Sequence, residues 1–265
     1  MTSVISSGLV RLVKVAYHLV EARRQRLAEL LREHAYLPVS ELCRRLKISE
    51  STARRDLAVL AKAHKIRRTY GGALLEYAEE FDSFQQRQTR AKKAKQMIAG
   101  QARPLVRSGM RLYLDGGTTL HYVALALAAA PALELFVLTN NVQIADLLGD
   151  YPNFEVELAG GRFLKRQGCC LGPVTERTIH RNSFDLAFLG AEAVNARGIY
   201  NSVQAIVRVQ KIAMKQAAQI VLCFDATKLL AEPPESRLGK LHEFHHILTD
   251  ASADQLAELR VAEAA

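Results

Sequence analysis

Apolar residues recur at helical spacing in the first quarter of the chain, and short apolar runs alternate with amphipathic stretches in the rest. Between Arg23 and Glu33, Leu27, Leu30 and Leu31 share one face and predict an amphipathic helix. Val39 to Leu46 predicts a second, short helix, with Pro38 just ahead of it, as near a helix start. Lys47-Ile48 then turns into Ser49, whose hydroxyl can cap a third helix from Glu50 to about Ala63. On a helical wheel, Ala53, Leu57, Leu60 and Ala61 gather on the core side. Ser51, Arg55 and Lys62 point the opposite way, with Thr52 and Arg54 on the flanks. Ile66 to Leu74 reads as strand, glycine turn, strand. Two short helices with a tight connection and a trailing hairpin predict a winged helix-turn-helix, whose later helix enters a major groove.

From residue 96 onward strands and helices alternate. Arg111–Asp115, Leu133–Thr139, Phe154–Leu158, Phe184–Leu189, Ile220–Asp225 and His246–Thr249 read as strands. Thr118–Ala129, Val142–Leu148 and Val207–Ala218 read as helices. This order predicts an α/β domain with a mostly parallel sheet and ligands at the carboxyl ends of its strands. The expected domains are a DNA-binding unit at 20–76, a polar linker at 77–95, and a sensing and oligomerisation unit at 96–265.

Charge sharpens the division. Residues 1–74 carry 15 Lys and Arg against 6 Asp and Glu, whereas residues 75–265 carry 21 of each, so the whole positive excess lies in the first unit. Clustered positive charge suits a polyanion, here a double-stranded DNA operator. Within the third helix and its cap, Ser49, Ser51, Thr52, Arg54 and Arg55 are short or forked polar groups near a helix start, fit to reach base edges. Arg67, Arg68 and Tyr70 precede the wing's glycines and suit phosphate or the minor groove. Asp56 lies near the core edge and is expected to pair with an arginine of the same chain, because a carboxylate would repel phosphate. The apolar first twenty residues are broken by Arg11 and Lys14 and show no cleavage pattern; they read as an extension of the first helix or a misplaced start. No other segment has the length a membrane span needs. Four cysteines without a framework spacing point to a reducing cytoplasm.

In the second unit, Asp115-Gly116-Gly117-Thr118-Thr119 ends a strand and opens a helix. Glycines admit an anion to the backbone, helix-start amides point at it, and the threonines add hydroxyls. A tight turn without a ligand would need the glycines but not the threonine pair. His242, His245 and His246 straddle a helix end and a strand start, so no metal site is expected, and no cofactor either.

Arg23-x3-Leu27-x3-Leu31, then Ser49-x2-Thr52-Ala53-Arg54-Arg55-Asp56-Leu57, then Tyr70-Gly71-Gly72-Ala73, resembles the signature of the DeoR family of bacterial transcriptional regulators. The resemblance extends through Asp225-Ala226-Thr227-Lys228. It implies a regulator, more often a repressor, of a carbohydrate pathway. Its effector domain would be similar in fold to ribose-5-phosphate isomerase and glucosamine-6-phosphate deaminase, with a phosphorylated sugar or related metabolite as inducer. By motif, Gly117, Thr118 and Thr119 would hold the phosphate beside Gly116, with Asp115, Asn140 and Gly161 around the sugar and Lys95 as a further contact. Glu192 stands where the family commonly has Asp. Tyr200 to Ile206 lacks the acidic residues that relatives usually carry there. A gapless register puts Gln210 at a helix lysine and Lys211 beside it; Lys211 is the expected effector contact.

Isomerisation needs a carboxylate base and a second acid or base. Asp115 and Glu192 are the carboxylates the sequence places at strand ends, and Asp115 sits in the phosphate turn, so no enzymatic activity is expected. The alternatives are a sugar-phosphate isomerase or deaminase fused to a DNA-binding domain, and a DNA-binding protein with a degenerate pocket. One recognition helix reads few base pairs, so a homo-oligomer, dimer or tetramer, is expected.

Overall fold

The structure, a computed structural model, describes residues 3–63, 66–69, 71–75, 82–130, 133–230 and 232–264. The chain forms two compact units, Met1–Tyr77 and Ala78–Ala265.

The first unit runs α1 (Ser3–His34), β1 (Tyr36–Pro38), α2 (Val39–Leu46), α3 (Glu50–Lys62), β2 (Ile66–Thr69) and β3 (Gly72–Leu75). The expected helix at Arg23–Glu33 is the last part of the longer α1. Its Leu27, Leu30 and Leu31 pack with Leu42, Ala53, Leu57, Leu60, Ile66 and Ala73 in one buried core. Lys47, left-handed at φ 53°, ends α2 by donating its backbone N–H to the Cys43 carbonyl. Ser49 then caps α3, its hydroxyl accepting the Thr52 N–H at 3.3 Å. The wing is a three-stranded sheet in the order β1-β3-β2. A Cβ on Gly72 would lie 2.4 Å from the Leu37 carbonyl oxygen, so β1 approaches β3 where only glycine fits.

The second unit begins with α4 (Phe84–Thr89), α5 (Lys92–Ala102), β4 (Arg111–Leu114), α6 (Thr118–Ala128), β5 (Leu135–Thr139), α7 (Val142–Gly149) and β6 (Phe154–Leu158). The hairpin β7 (Arg162–Leu164) and β8 (Cys169–Leu171) precedes α8 (Pro173–His180) and β9 (Phe184–Gly190). Then come β10 (Ala193–Asn195), β11 (Gly198–Asn201), α9 (Gln204–Gln216), β12 (Ala217–Cys223), β13 (Ser236–Gly239), β14 (His246–Leu248) and α10 (Ala253–Ala264). Six parallel strands form the main sheet in the order β14-β12-β9-β4-β5-β6, and β10-β11-β13 form a small antiparallel sheet. The central strands are apolar throughout because both their faces are covered: Leu112, Tyr113, Leu114, Leu186, Ala187, Phe188 and Leu189 are all buried.

After β4 the chain proceeds to the β5 side, and after β9 to the β12 side. The order therefore reverses between β4 and β9, which opens a crevice at their carboxyl ends. The segment expected as a linker contributes to this unit: Ser83 and Gln86 form a capping box on α4, and Phe84 is buried. Among the described residues no helix is long and apolar enough to cross a membrane.

Candidate nucleic-acid interface and ligand cavity

In the first unit, α3 presents Ser51, Arg54 and Arg55 to solvent with Thr52 partly covered, while its opposite face joins the core. Ser49 serves the helix cap, its hydroxyl 2.9 Å from that of Thr52 and 3.0 Å from that of Ser51. Arg54 is engaged by Glu50 one turn back, at 2.8 Å from Nε. Arg55 is exposed and forms no ion pair among the described residues. Asp56, 1% exposed, faces inward and accepts Arg23 Nε at 2.6 Å and Arg24 Nε at 3.0 Å. Burial pushes this carboxyl up, but the two arginine hydrogen bonds and charges more than reverse it and hold it below its ordinary value. On α2, hydrogen bonds from Arg44 and Arg45 draw Glu41 down to about 2. Arg67 is exposed on β2; the side chain of Arg68 and all of Tyr70 lie outside the described residues.

In the second unit a cavity of about 230 Å³ opens at the switch point between β4 and β9. Its floor is the turn from Asp115 to Thr119. Gly117 caps α6 without a side-chain bond, so the first amides of an eleven-residue helix point into the cavity without intrahelical partners. The turn is braced from behind by Asn141, which donates to the Gly116 carbonyl at 2.7 Å and accepts from Ile144 N at 3.0 Å. A Cβ on Gly116 would lie 2.9 Å from the Cys169 Cβ, so the glycine is required by the approach of β8.

Asp115 is buried and fully engaged, its Oδ2 accepting from Gln210 Nε2 at 2.6 Å and from the Gly190 amide at 3.2 Å. Burial raises its pKa, opposed by the hydrogen bonds from Gln210, Gly116 and Gly190. Gln210 also donates to the Gly190 carbonyl at 2.8 Å and accepts from Asn201 Nδ2 at 2.9 Å. Glu192 accepts the Ser202 amide at 2.9 Å and the Ser202 hydroxyl. Asn140 accepts from the Tyr113 hydroxyl at 3.2 Å and donates to the Cys170 carbonyl at 3.2 Å. Lys95 is 3% exposed and donates to the carbonyls of Arg87 and Arg90, at 2.5 and 2.6 Å. Burial above all draws its pKa down to about 8; Asp225 opposes this, while Lys228, Arg87 and Arg90 add to it.

Lys95, Asp115, Gly116, Gly117, Thr118, Thr119, Asn140 and Glu192 therefore line one cavity. Gly161 does not line it; it lies in the loop before β7, against Thr175. Lys211 does not either. It is exposed on the far side of α9, beside Lys215 and Arg237, and it is Gln210 that reaches Asp115. Sequence reasoning missed Arg87, Asp225 and Lys228, which also line the cavity. Asp225 follows β12, so it is a third strand-end carboxylate beyond the two expected. The strand-end rule that singled out Asp115 could have found it. Among the described residues no group of three or more His, Cys, Asp or Glu is placed to hold a metal ion; near β14, His245 Nδ1 accepts from Ile220 N at 3.1 Å, and His246 meets Gln219 at 3.1 Å.

Residues 23–78 match the family model of the DeoR-like helix-turn-helix domain, and residues 90–251 that of the DeoR C terminal sensor domain. The chain is 32% identical to the glycerol-3-phosphate regulon repressor of Haemophilus influenzae, over 86% of this chain and 88% of that protein. It is 30% identical to the L-fucose operon activator of Escherichia coli, over 86% of this chain and 94% of that protein. Among solved structures, ribose 5-phosphate isomerase A from Methanocaldococcus jannaschii matches with a TM-score of 0.40 at 19% identity, over 52% of this chain and 55% of that one.

Proposed function

This chain belongs to the DeoR family of transcriptional regulators, and on that premise we propose that it represses a carbohydrate-metabolism operon and is released from its double-stranded operator by a phosphorylated sugar or related metabolite. The observation that carries the reading is the uncapped start of α6, which opens with Gly116 to Thr119 into a cavity that Arg87, Lys95 and Lys228 also line. Helix-start amides and flanking cations favour a phosphate. The relatives named above regulate glycerol-3-phosphate and L-fucose genes, one as a repressor and one as an activator; a reporter under the operator reads the sign here.

The site serves as a sensor in this proposal, supported by the match of residues 90–251 to the DeoR C terminal sensor domain. Asp115 is held by Gln210 and Gly190, and Glu192 by Ser202, so these two carboxylates do not stand ready to take a proton from a substrate carbon; the third, Asp225, keeps one oxygen without a partner, and the turnover assay below tests it. The chain acts on the operator as a homo-oligomer, a dimer or a tetramer, because one recognition helix reads too few base pairs to select a site. The test begins with duplexes selected from a random pool by the full chain. Their affinity is then measured by fluorescence anisotropy with and without a panel of sugar phosphates, alongside a turnover assay on the same panel. Loss of operator affinity with at least one phosphorylated ligand, without turnover, is the expected result. Turnover, or no ligand response across the panel, overturns the reading.

A further inference from the structure

We propose that a second copy of the chain docks at the outer edge of the main sheet, where β6 turns into β7 against the start of α8. The proposal rests on the homo-oligomer reading above and names the surface that serves it.

Its ground is an apolar patch built around one turn. Leu158 ends β6, Phe163 lies on β7 and Val174 opens α8; they are 40, 44 and 47% exposed. Between β6 and β7 the backbone is left-handed at Gly160 and Gly161, with φ 68° and 107°. The start of α8 is pressed onto these glycines. The Thr175 hydroxyl donates to the Gly160 carbonyl at 2.6 Å, and a Cβ on Gly160 would lie 3.7 Å from Val174 Cγ1. Single exposed apolar side chains are ordinary on a protein surface, but three around one turn mark a contact face.

Charge selects the occupant. Glu155 and Glu157 on β6 are exposed. So are Arg177 and Arg181, one and two turns on from Val174. None of these four side chains forms an ion pair among the described residues. The apolar patch is thus flanked by free carboxylates from β6 and free guanidinium groups from the α8 segment. A surface that carries both signs around an apolar centre complements itself: a two-fold axis lays the β6 carboxylates of each copy on the arginines of the other. DNA or an acidic lipid surface would meet the glutamates as repulsion. The copies do not meet by extending the sheet, although β6 is its terminal strand. Pairing β6 with itself about Val156 would set Glu155 of one copy against Glu157 of the other, and like charges directly opposite destabilise a strand pair. The contact is therefore made by side chains of the turn and of α8.

The experiment is sedimentation velocity of the full chain over a micromolar concentration range, with three variants altered at exposed positions. Phe163→Asp puts a charge into the apolar centre. Glu155→Arg with Glu157→Arg, and Arg177→Glu with Arg181→Glu, each reverse one flank. Each variant alone should self-associate about tenfold or more weakly than the unsubstituted chain. An equimolar mixture of the two flank-reversed variants should recover the original assembly, because opposite charges meet again at both junctions, and misfolded chains could not recover it. Assembly unchanged in all three variants overturns the proposal in favour of another partner for the patch, and leaves the homo-oligomer reading standing. Weakened assembly that mixing does not restore overturns it as well. An unsubstituted chain that stays monomeric while binding its operator tightly overturns both.

Discussion

Replacing Asp56 by Asn should destabilise the DNA-binding unit while leaving the second unit's unfolding unchanged. The carboxylate is buried and receives Nε of Arg23 and of Arg24 at 2.6 and 3.0 Å, while those side chains remain 28% and 20% exposed. Cutting one partner from a fully buried ion pair costs about 3–5 kcal/mol, and an exposed pair is worth at most about 1 kcal/mol. Here the arginines can turn toward water once released, and the asparagine oxygen still accepts one bond, which places the cost near 2 kcal/mol. For a unit of this size each kcal/mol moves the midpoint by about 4–8 °C, so the first unit's transition should fall by about 8–16 °C. Hydrogen exchange in α1 and α3 during thermal unfolding of the full chain separates this transition from that of the second unit. The pH dependence has a definite sign. The folded carboxyl sits below its ordinary value, because the arginines outweigh burial. Its stabilisation is therefore complete above the ordinary carboxylate range and is lost as pH falls through the folded value. A midpoint shift under 2 °C, or a gain in operator affinity at unchanged stability, would refute the inward role and put Asp56 on the DNA face.

Arg55→Ala should lose discrimination between operator and random duplex by roughly 1–3 kcal/mol at unchanged fold, since Arg55 is the recognition-helix arginine without an ion pair among the described residues. Arg67→Ala should instead weaken both duplexes alike and flatten the log–log salt slope by about 0.9; anisotropy titrations at several salt concentrations distinguish the two. Lys95 titrates near 8 in the cavity, so affinity for sugar phosphates should fall as pH rises from 7 to 9, with proton uptake on binding visible in buffers of different ionisation enthalpy. A flat profile would count against its charge acting on the ligand. Stability moves the other way: unfolded lysine holds its proton up to its ordinary 10.5, so the fold should gain stability between pH 8 and 10.5. Gly116→Ala would force a Cβ to within 2.9 Å of Cys169; it should cost about 1–3 kcal/mol in chemical denaturation and weaken ligand binding more than operator binding.

Periodicity made the long elements legible. The face of α1 with Leu27, Leu30 and Leu31, the core side of α3, and the doubly buried β4 and β9 each carry a pattern that one helix or one central strand imposes on its own sequence. Short strands impose none. β1, β7 and β10 are three residues each, too short to show a period, and the pairing of β1 is decided by a partner far along the chain, in the Leu37↔Ala73 register. The run from residue 77 to 95 failed for a different reason. Its Arg, Lys and Gln content reads as solvated linker, yet one buried aromatic, Phe84, fixes α4, and Arg87 and Lys95 then turn inward against backbone carbonyls. Composition cannot register that inversion, because the acceptors are main-chain atoms that every sequence has.

Gln210 and Lys211 set a sharper limit. A gapless register of the resemblance puts Gln210 at a helix lysine and Lys211 beside it, and the cation is the chemically attractive choice. Neighbours on a helix point about 100° apart, so only one can reach the strand end. Packing decides which: Gln210 is buried between Asp115, Gly190 and Asn201, whereas Lys211 faces solvent. The consequence is electrostatic. An amide at this point donates to Asp115 without neutralising it and cannot exchange a proton with a ligand. The cavity thus keeps a buried carboxylate, Asp115, hydrogen-bonded by an amide where an ammonium would have formed an ion pair with it.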